Sequence, residues 1–266
     1  MPPVIGVFDS GFGGLTVLHA LRKALPGADY LYFGDTAHLP YGAKSARTVA
    51  KYAIASAHFL EDHGIAMLVV ACNTATALAF DDIRAAVKVP VVGVVEPGAK
   101  RASAISKSRR AAVIATDATV SSHAYRRALE RLEVEATEKA CPLFVPLVEE
   151  GWVDHPVTER VAHIYMDEVF RDGAHDADVL LLGCTHYPLI RPLLRRIVPP
   201  HVEIVDSAES TAASVAELLA TGKAGGENKP GSLRCYATDS TEKFARLGSK
   251  FLGCPIQNVE LIDIEK

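Results

Sequence analysis

Two cysteines stand where an apolar run gives way to a polar one: Met67-Leu-Val-Val-Ala-Cys72-Asn73-Thr74-Ala-Thr76 and Val179-Leu-Leu-Leu-Gly-Cys184-Thr185-His186-Tyr187. Each apolar run reads as a buried parallel strand and the polar residues after it as the turn into a helix, the place where α/β proteins hold ligands. A thiol there feels the positive end of the helix through its backbone N–H groups, a setting that favours thiolate. One cysteine at a strand end would read as a small buried hydrophobe. Two in matched settings point to an acid/base group on each side of one atom, and inversion at carbon is the simplest chemistry that needs it.

Uncharged hydrogen-bonding groups gather at the same strand mouths: Ser10, Asn73, Thr74, Thr76, Thr116, Thr119 and Thr185. With Asp9 to meet an ammonium, they suit a small zwitterion, although Ser and Thr also cap helices and many do both. The turn Asp9-Ser10-Gly11-Phe12-Gly13-Gly14-Leu15-Thr16 could approach an anion closely. With Asp35 as a ribose acid it comes near a dinucleotide fingerprint, but Thr16 occupies the third glycine's place and Asp9 would repel a pyrophosphate. Cys184 and His186 could be half of a zinc site; no second pair has metal spacing, so no metal is expected. His58 and His63 fall on a surface helix, and Trp152, Cys141, Cys235 and Cys254 are assigned to packing.

The elements that must position these residues alternate short β-branched runs with longer helical patterns, which implies parallel βαβ units. Strands are predicted at 4–8, 29–33, 67–71, 91–95, 111–115, 143–147, 179–183 and 202–205, then at 233–237 and 259–262. Helices are predicted at 44–63 and 156–172, the latter with Val157, Val161, Tyr165 and Val169 as its core stripe. The first eight strands form a degenerate internal repeat of four. Strand one ends at Asp9-Ser10 or Thr116-Asp117, strand two near Asp35 or Glu149, and strand three at Cys72 or Cys184. The fold expected is α/β with two pseudo-symmetric lobes, each a mostly parallel sheet flanked by helices, and an active-site cleft between them. Residues 1–96 with 207–266 would make the lobe of Cys72, and 97–206 the lobe of Cys184, with 96–110 crossing over and a surface loop from Thr221 to Gly231.

A length of 266 residues accommodates two lobes, and 49% hydrophobic with 23% charged residues is the balance of an ordinary globule. A net charge of −4 gives no field for nucleic acid or an anionic membrane. No apolar stretch reaches the ~20 residues of a membrane span, and the start leads into a strand rather than a signal sequence, so a cytoplasmic location is the expectation. Five cysteines without a Cys-x-x-Cys pair argue against a disulfide framework and for a reducing compartment.

These motifs together resemble one family. Gly6-Val-Phe-Asp9-Ser10-Gly-Phe-Gly-Gly-Leu-Thr-Val, Gly34-Asp35 with Pro40-Tyr41-Gly42, Ala71-Cys72-Asn73-Thr74-Ala-Thr76, Pro146-Leu-Val-Glu149, Gly183-Cys184-Thr185-His186-Tyr-Pro and Tyr236-Ala-Thr-Asp239 are similar to the glutamate racemases of the bacterial cell-wall pathway. Aspartate racemases share the paired cysteines, but their first loop differs from Asp-Ser-Gly-x-Gly-Gly. The resemblance implies cofactor-free interconversion of L- and D-glutamate, supplying D-glutamate for peptidoglycan, with Cys72 and Cys184 as the acid/base pair. It implies that Asp9, Asp35, Glu149 and His186 support the thiols, and that Asp9, Ser10, Tyr41, Gly42, Asn73, Thr74, Thr185 and His186 bind substrate, with Thr116 and Thr119 added from their strand-mouth positions. Homodimers with varied interfaces are common in that family.

Three alternatives remain open on sequence alone. A racemase of aspartate would differ only in its substrate. A one-thiol decarboxylase or hydrolase on the same fold would leave the second cysteine unexplained. A binding protein for acidic amino acids would hold its ligand without exchanging the α-hydrogen for solvent hydrogen.

Overall fold

In the computed structural model, residues 2–220 and 230–264 are described, so positions 221–229 of the expected surface loop lie outside the described residues. The strands, in chain order, are β1 Val4–Asp9, β2 Asp29–Gly34, β3 Met67–Val70, β4 Val91–Gly93, β5 Arg110–Ala115, β6 Glu135–Ala140, β7 Val179–Gly183, β8 Glu203–Asp206, β9 Leu233–Ala237 and β10 Val259–Leu261. They form a six-stranded sheet, ordered β10-β9-β2-β1-β3-β4, and a four-stranded sheet, ordered β6-β5-β7-β8. Every pairing in both is parallel.

The internal repeat is a repeat of topology. In each sheet the first strand of the set lies between the second and third, so the strand order turns back on itself beside β1 and β3, and again beside β5 and β7. Such a switch point opens a crevice at the carboxyl ends of its two strands. Register brings Phe8 opposite Val70 and Ala115 opposite Gly183, so Ser10 and Cys72 leave the first sheet side by side, as do Thr116 and Cys184 the second.

One expected strand is a helix. Residues 143–147 fall in the helix Phe144–Glu149, and the second strand of the second set is β6, Glu135–Ala140. Pro146 stands in the helix's first turn, where backbone N–H groups have no intrahelical partner, so the missing donor costs nothing. The strand β6 lies at the sheet edge, and its Glu, Thr and Lys residues hide its strand character. Glu149 therefore ends a helix after the strand, whereas Asp35 directly follows β2.

Strand alternation divides the core. Ile5 and Val7 face a large apolar cluster that continues through the helix Leu15–Ala24 to Ala112, Ile114, Leu180 and Leu182 of the other sheet. Phe8, Leu68 and Val70 face a second cluster on the far side of the first sheet, and Val113, Leu181 and Val205 a third beyond the second sheet. The central cluster thus fastens the two sheets together. The helix Val95–Ile105 carries the chain from β4 to the second sheet, and Ser207–Ala220 packs against it and against Leu15–Ala24 on the way back.

The helix Pro156–Asp172 buries Thr158, Ala162, Met166 and Val169, with Val161 and Tyr165 partly buried beside them. Val157, expected in the stripe, is exposed, because the buried face is turned one residue further along. Trp152 and Cys254 are also exposed rather than packed, Trp152 stacking on His155, while Cys141 and Cys235 are buried.

Candidate active site

Both thiols line one cleft, together with Ser10, Tyr41, Gly42, Asn73, Thr74, Thr116, Glu149, Thr185 and His186. Phe12, Leu39, Pro40 and Val145 add apolar wall. No charge or polar pattern marked these four as site residues, and Val145 sits in the segment whose helix was read as a strand.

Cys72 caps the helix Asn73–Ala86 with its own sulfur, which accepts the Ala75 N–H at 3.4 Å. Its thiol points at Ser10 Oγ, 3.5 Å away. Burial, and then the nearby Asp9 carboxylate, push the thiol's pKa up to about 12, outweighing the bonds from Ser10 and Ala75. The expectation that a helix start favours thiolate therefore fails at Cys72: the helix supplies one weak bond, while desolvation and a like charge oppose ionisation.

Cys184 follows β7 and lies 3.9 Å from His186 Nδ1. The other ring nitrogen, Nε2, is 3.3 Å from Glu149 Oε1, and Lys243 Nζ stands 4.0 Å from the same carboxylate. Burial works against charge on His186, but the Cys184 sulfur and Glu149 outweigh it and hold the ring's pKa at about 10. Phe12 and Phe251 enclose the ring, with centroids 6.1 and 5.2 Å from its own. An imidazolium so placed supplies the counter-charge that a thiolate at Cys184 requires.

Asp9 lies beneath the cleft floor, with Oδ2 accepting the Gly11 N–H at 2.9 Å. Burial raises its pKa, against the pull of His186 and the amides of Gly14, Gly11 and Ser10. Among the described residues, two buried side-chain polar atoms lack a partner, Asp9 Oδ1 and Asn73 Nδ2. An orphaned acceptor and an orphaned donor flanking Cys72 are costly unless a ligand engages them.

Asp35, expected to support the thiols, is buried away from the cleft surface. Its carboxylate accepts from Tyr41 Oη at 2.6 Å and Thr238 Oγ1 at 2.9 Å, and lies 2.8 Å from His38 Nδ1. It therefore braces Tyr41, which lines the cleft. Thr74, Thr116 and Thr119 form a triangle of hydroxyls at 3.0, 3.3 and 3.0 Å that joins the two sheets' loops. Thr119, fully buried, belongs to that joint rather than to the cleft wall.

The glycine-rich turn brings the loops of the two sheets together. A Cβ on Gly13 would lie 2.3 Å from Thr185 Oγ1 and 2.7 Å from His186 Nδ1, so the bare backbone lets the first sheet's loop meet the second's. Thr16 Oγ1, in the third glycine's place, reaches the Thr185 carbonyl at 3.3 Å.

A crevice at two facing switch points, lined by a sulfur from each strand set and by small polar side chains, is the small-ligand site of an α/β protein. The family model described as Asp/Glu/Hydantoin racemase matches residues 5–215. A glutamate racemase of Koribacter versatilis is 59% identical over 98% of both chains. Among solved structures, glutamate racemase from Francisella tularensis, in complex with D-glutamate, has a TM-score of 0.91 at 36% identity, covering 99% of this chain and 98% of that one. The Thermus thermophilus glutamate racemase, in complex with β-chloro-D-alanine, has a TM-score of 0.88 at 43% identity, with 99% and 98% covered. The chain belongs to the Asp/Glu/Hydantoin racemase family, within it to the glutamate racemases, and is an amino-acid racemase.

Proposed function

We propose that the cleft interconverts L- and D-glutamate by a two-base mechanism in which one thiolate removes the α-proton and the opposite thiol protonates the other face. The observation that carries this reading is the matched topology of the sulfurs: Cys72 and Cys184 follow the third strand of each four-strand set and line one cleft. Their environments are complementary. Cys72, its pKa held at about 12, starts as the acid, and Cys184 beside the His186 ring starts as the base. Once a proton has crossed, the roles are reversed and the product enantiomer faces the mirror-related pair.

Asp9 Oδ1 would accept from the substrate ammonium and Asn73 Nδ2 would donate to the α-carboxylate, which satisfies both orphaned atoms. Ser10, Tyr41-Gly42, Thr74, Thr116 and Thr185 would complete the pocket, with Thr119 steadying Thr74 and Thr116. Asp9, His186 and Glu149 would set the protonation states, and Asp35 would act through Tyr41. An amino-acid α-proton is far less acidic than a thiol, so orientation, desolvation and hydrogen bonds to the developing enediolate must combine, each tenfold in rate requiring about 1.4 kcal/mol. The amides of Asn73 and Thr74, in the first helical turn, are donors for that charge.

The lobes of this enzyme would be residues 1–96 with 207–266 and residues 97–206, with the substrate cleft between them. Its cellular task would be to supply D-glutamate for peptidoglycan in the cytoplasm. The test is incubation of the pure protein with L- or D-glutamate in heavy water, following optical rotation and α-deuterium. Racemisation with deuterium gain is expected; binding without exchange would overturn the mechanism.

A further inference from the structure

Asn73 can donate to a substrate only if its amide is held with nitrogen toward the cleft, and the residue that holds it comes from the other sheet's side. Tyr125, on the helix Ala124–Glu130, is fully buried and donates from Oη to Asn73 Oδ1 at 2.6 Å. Ser207 stands beside the same Oη, where its hydroxyl is placed to engage the tyrosine's acceptor and leave the proton for Asn73. With Oδ1 fixed, Nδ2 is the atom left buried and unpartnered at the cleft wall. The same ring packs on the strand of the second thiol: a Cβ on Gly183, the residue before Cys184, would lie 2.9 Å from Tyr125 Cε2. One side chain thus touches the residue after Cys72 and the residue before Cys184.

We propose that Tyr125 is a positioning residue for racemisation, which fixes the Asn73 amide so that Nδ2 donates to the substrate α-carboxylate. A rotated amide would turn an acceptor toward the carboxylate, and the bond would become a repulsion. The proposal rests on the cleft reading above and deepens it. Because the phenyl ring fills the site in either residue, Tyr125→Phe removes the bond and keeps the packing.

The experiment compares KM and kcat for both glutamate enantiomers in wild type, Y125F, Asn73→Ala and the double variant. Y125F should raise KM about tenfold for both enantiomers, with a smaller change in kcat, and should add nothing to Asn73→Ala. Unchanged KM in Y125F, or effects that multiply in the double variant, would overturn the proposal, since a packing role alone predicts independence. If Y125F fails to fold, Ser207→Ala decides: it leaves the ring and removes only the hydroxyl placed beside Oη. A severalfold rise in KM then supports the proposal and a wild-type KM overturns it. Wild-type exchange of the α-hydrogen, measured in the same series, separates failure of this proposal from failure of the two-thiol reading.

Discussion

Gly13 and Thr185, from loops of different sheets, touch so closely that a methyl group on Gly13 would stand 2.3 Å from Thr185 Oγ1. The contact seats the Asp9 loop directly against the pair that follows Cys184. Gly13→Ala should therefore push Thr185 and His186 away and lower kcat/KM at least tenfold, together with a fall in melting temperature of the kind overpacking produces. Wild-type kinetics in this variant would mean that the loops move apart without consequence.

His186 gives a pH dependence whose direction is fixed. Its folded pKa, about 10, lies above the ordinary 6.5, so the folded state binds the proton more tightly than the unfolded state does. The resulting stability is fully present below about pH 6.5 and is lost as pH rises through about 10. Cys72, held at about 12 against an ordinary 9, adds a further loss above pH 9. Urea midpoints for wild type and His186→Asn, measured from pH 6 to 10, should show an advantage for wild type that shrinks with pH. A gap that widened toward pH 10 would contradict the assigned charge on His186.

Alkylation should sort the cysteines by exposure and charge. Exposed Cys254 should label freely and without effect on activity, while buried Cys141 and Cys235 resist. Inactivation should track Cys184 and Cys72, with glutamate protecting both and Cys72 the slower at neutral pH because it is held as a thiol. Peptide mapping of a sample half inactivated checks this; loss of activity with Cys72 and Cys184 both unlabelled would remove them from the mechanism.

The sequence displays some of these features and hides others for physical reasons. The strands before Cys72 and Cys184 are legible because a parallel strand buried on both faces reads as an unbroken apolar run. The edge strand β6 is not, because Glu135, Glu138 and Lys139 stand among its small residues while the more apolar segment beside it is helical. The polar residues around the thiols are legible as a set at strand mouths, yet Tyr125 carries no such mark: a buried tyrosine reads as core until folding brings it to Asn73, 52 positions away. The raised pKa of Cys72 is hidden for the same reason, since it depends on burial and on Asp9, which reaches it only through the pairing of β1 with β3. Asp35 is found by motif, but its bond to Thr238 is hidden, because that residue lies 203 positions away.

The sharpest test of paired bases uses each thiol alone. In a two-sided cleft each sulfur faces one side of the α-carbon and acts as base for one enantiomer only. Cys72→Ser and Cys184→Ser should both nearly abolish racemisation, because serine is a far weaker acid than a thiol and cannot complete the transfer. The surviving thiol can still take a proton from the enantiomer it faces. On a β-chloro amino acid, that step is followed by loss of chloride, so elimination reports proton removal without needing the second base. Each variant should therefore eliminate chloride from one enantiomer in preference to the other, and the two preferences should be opposite. Chloride release measured on both analogues with both variants checks it; the same preference in both, or full racemisation in either, would mean that a single base performs both transfers.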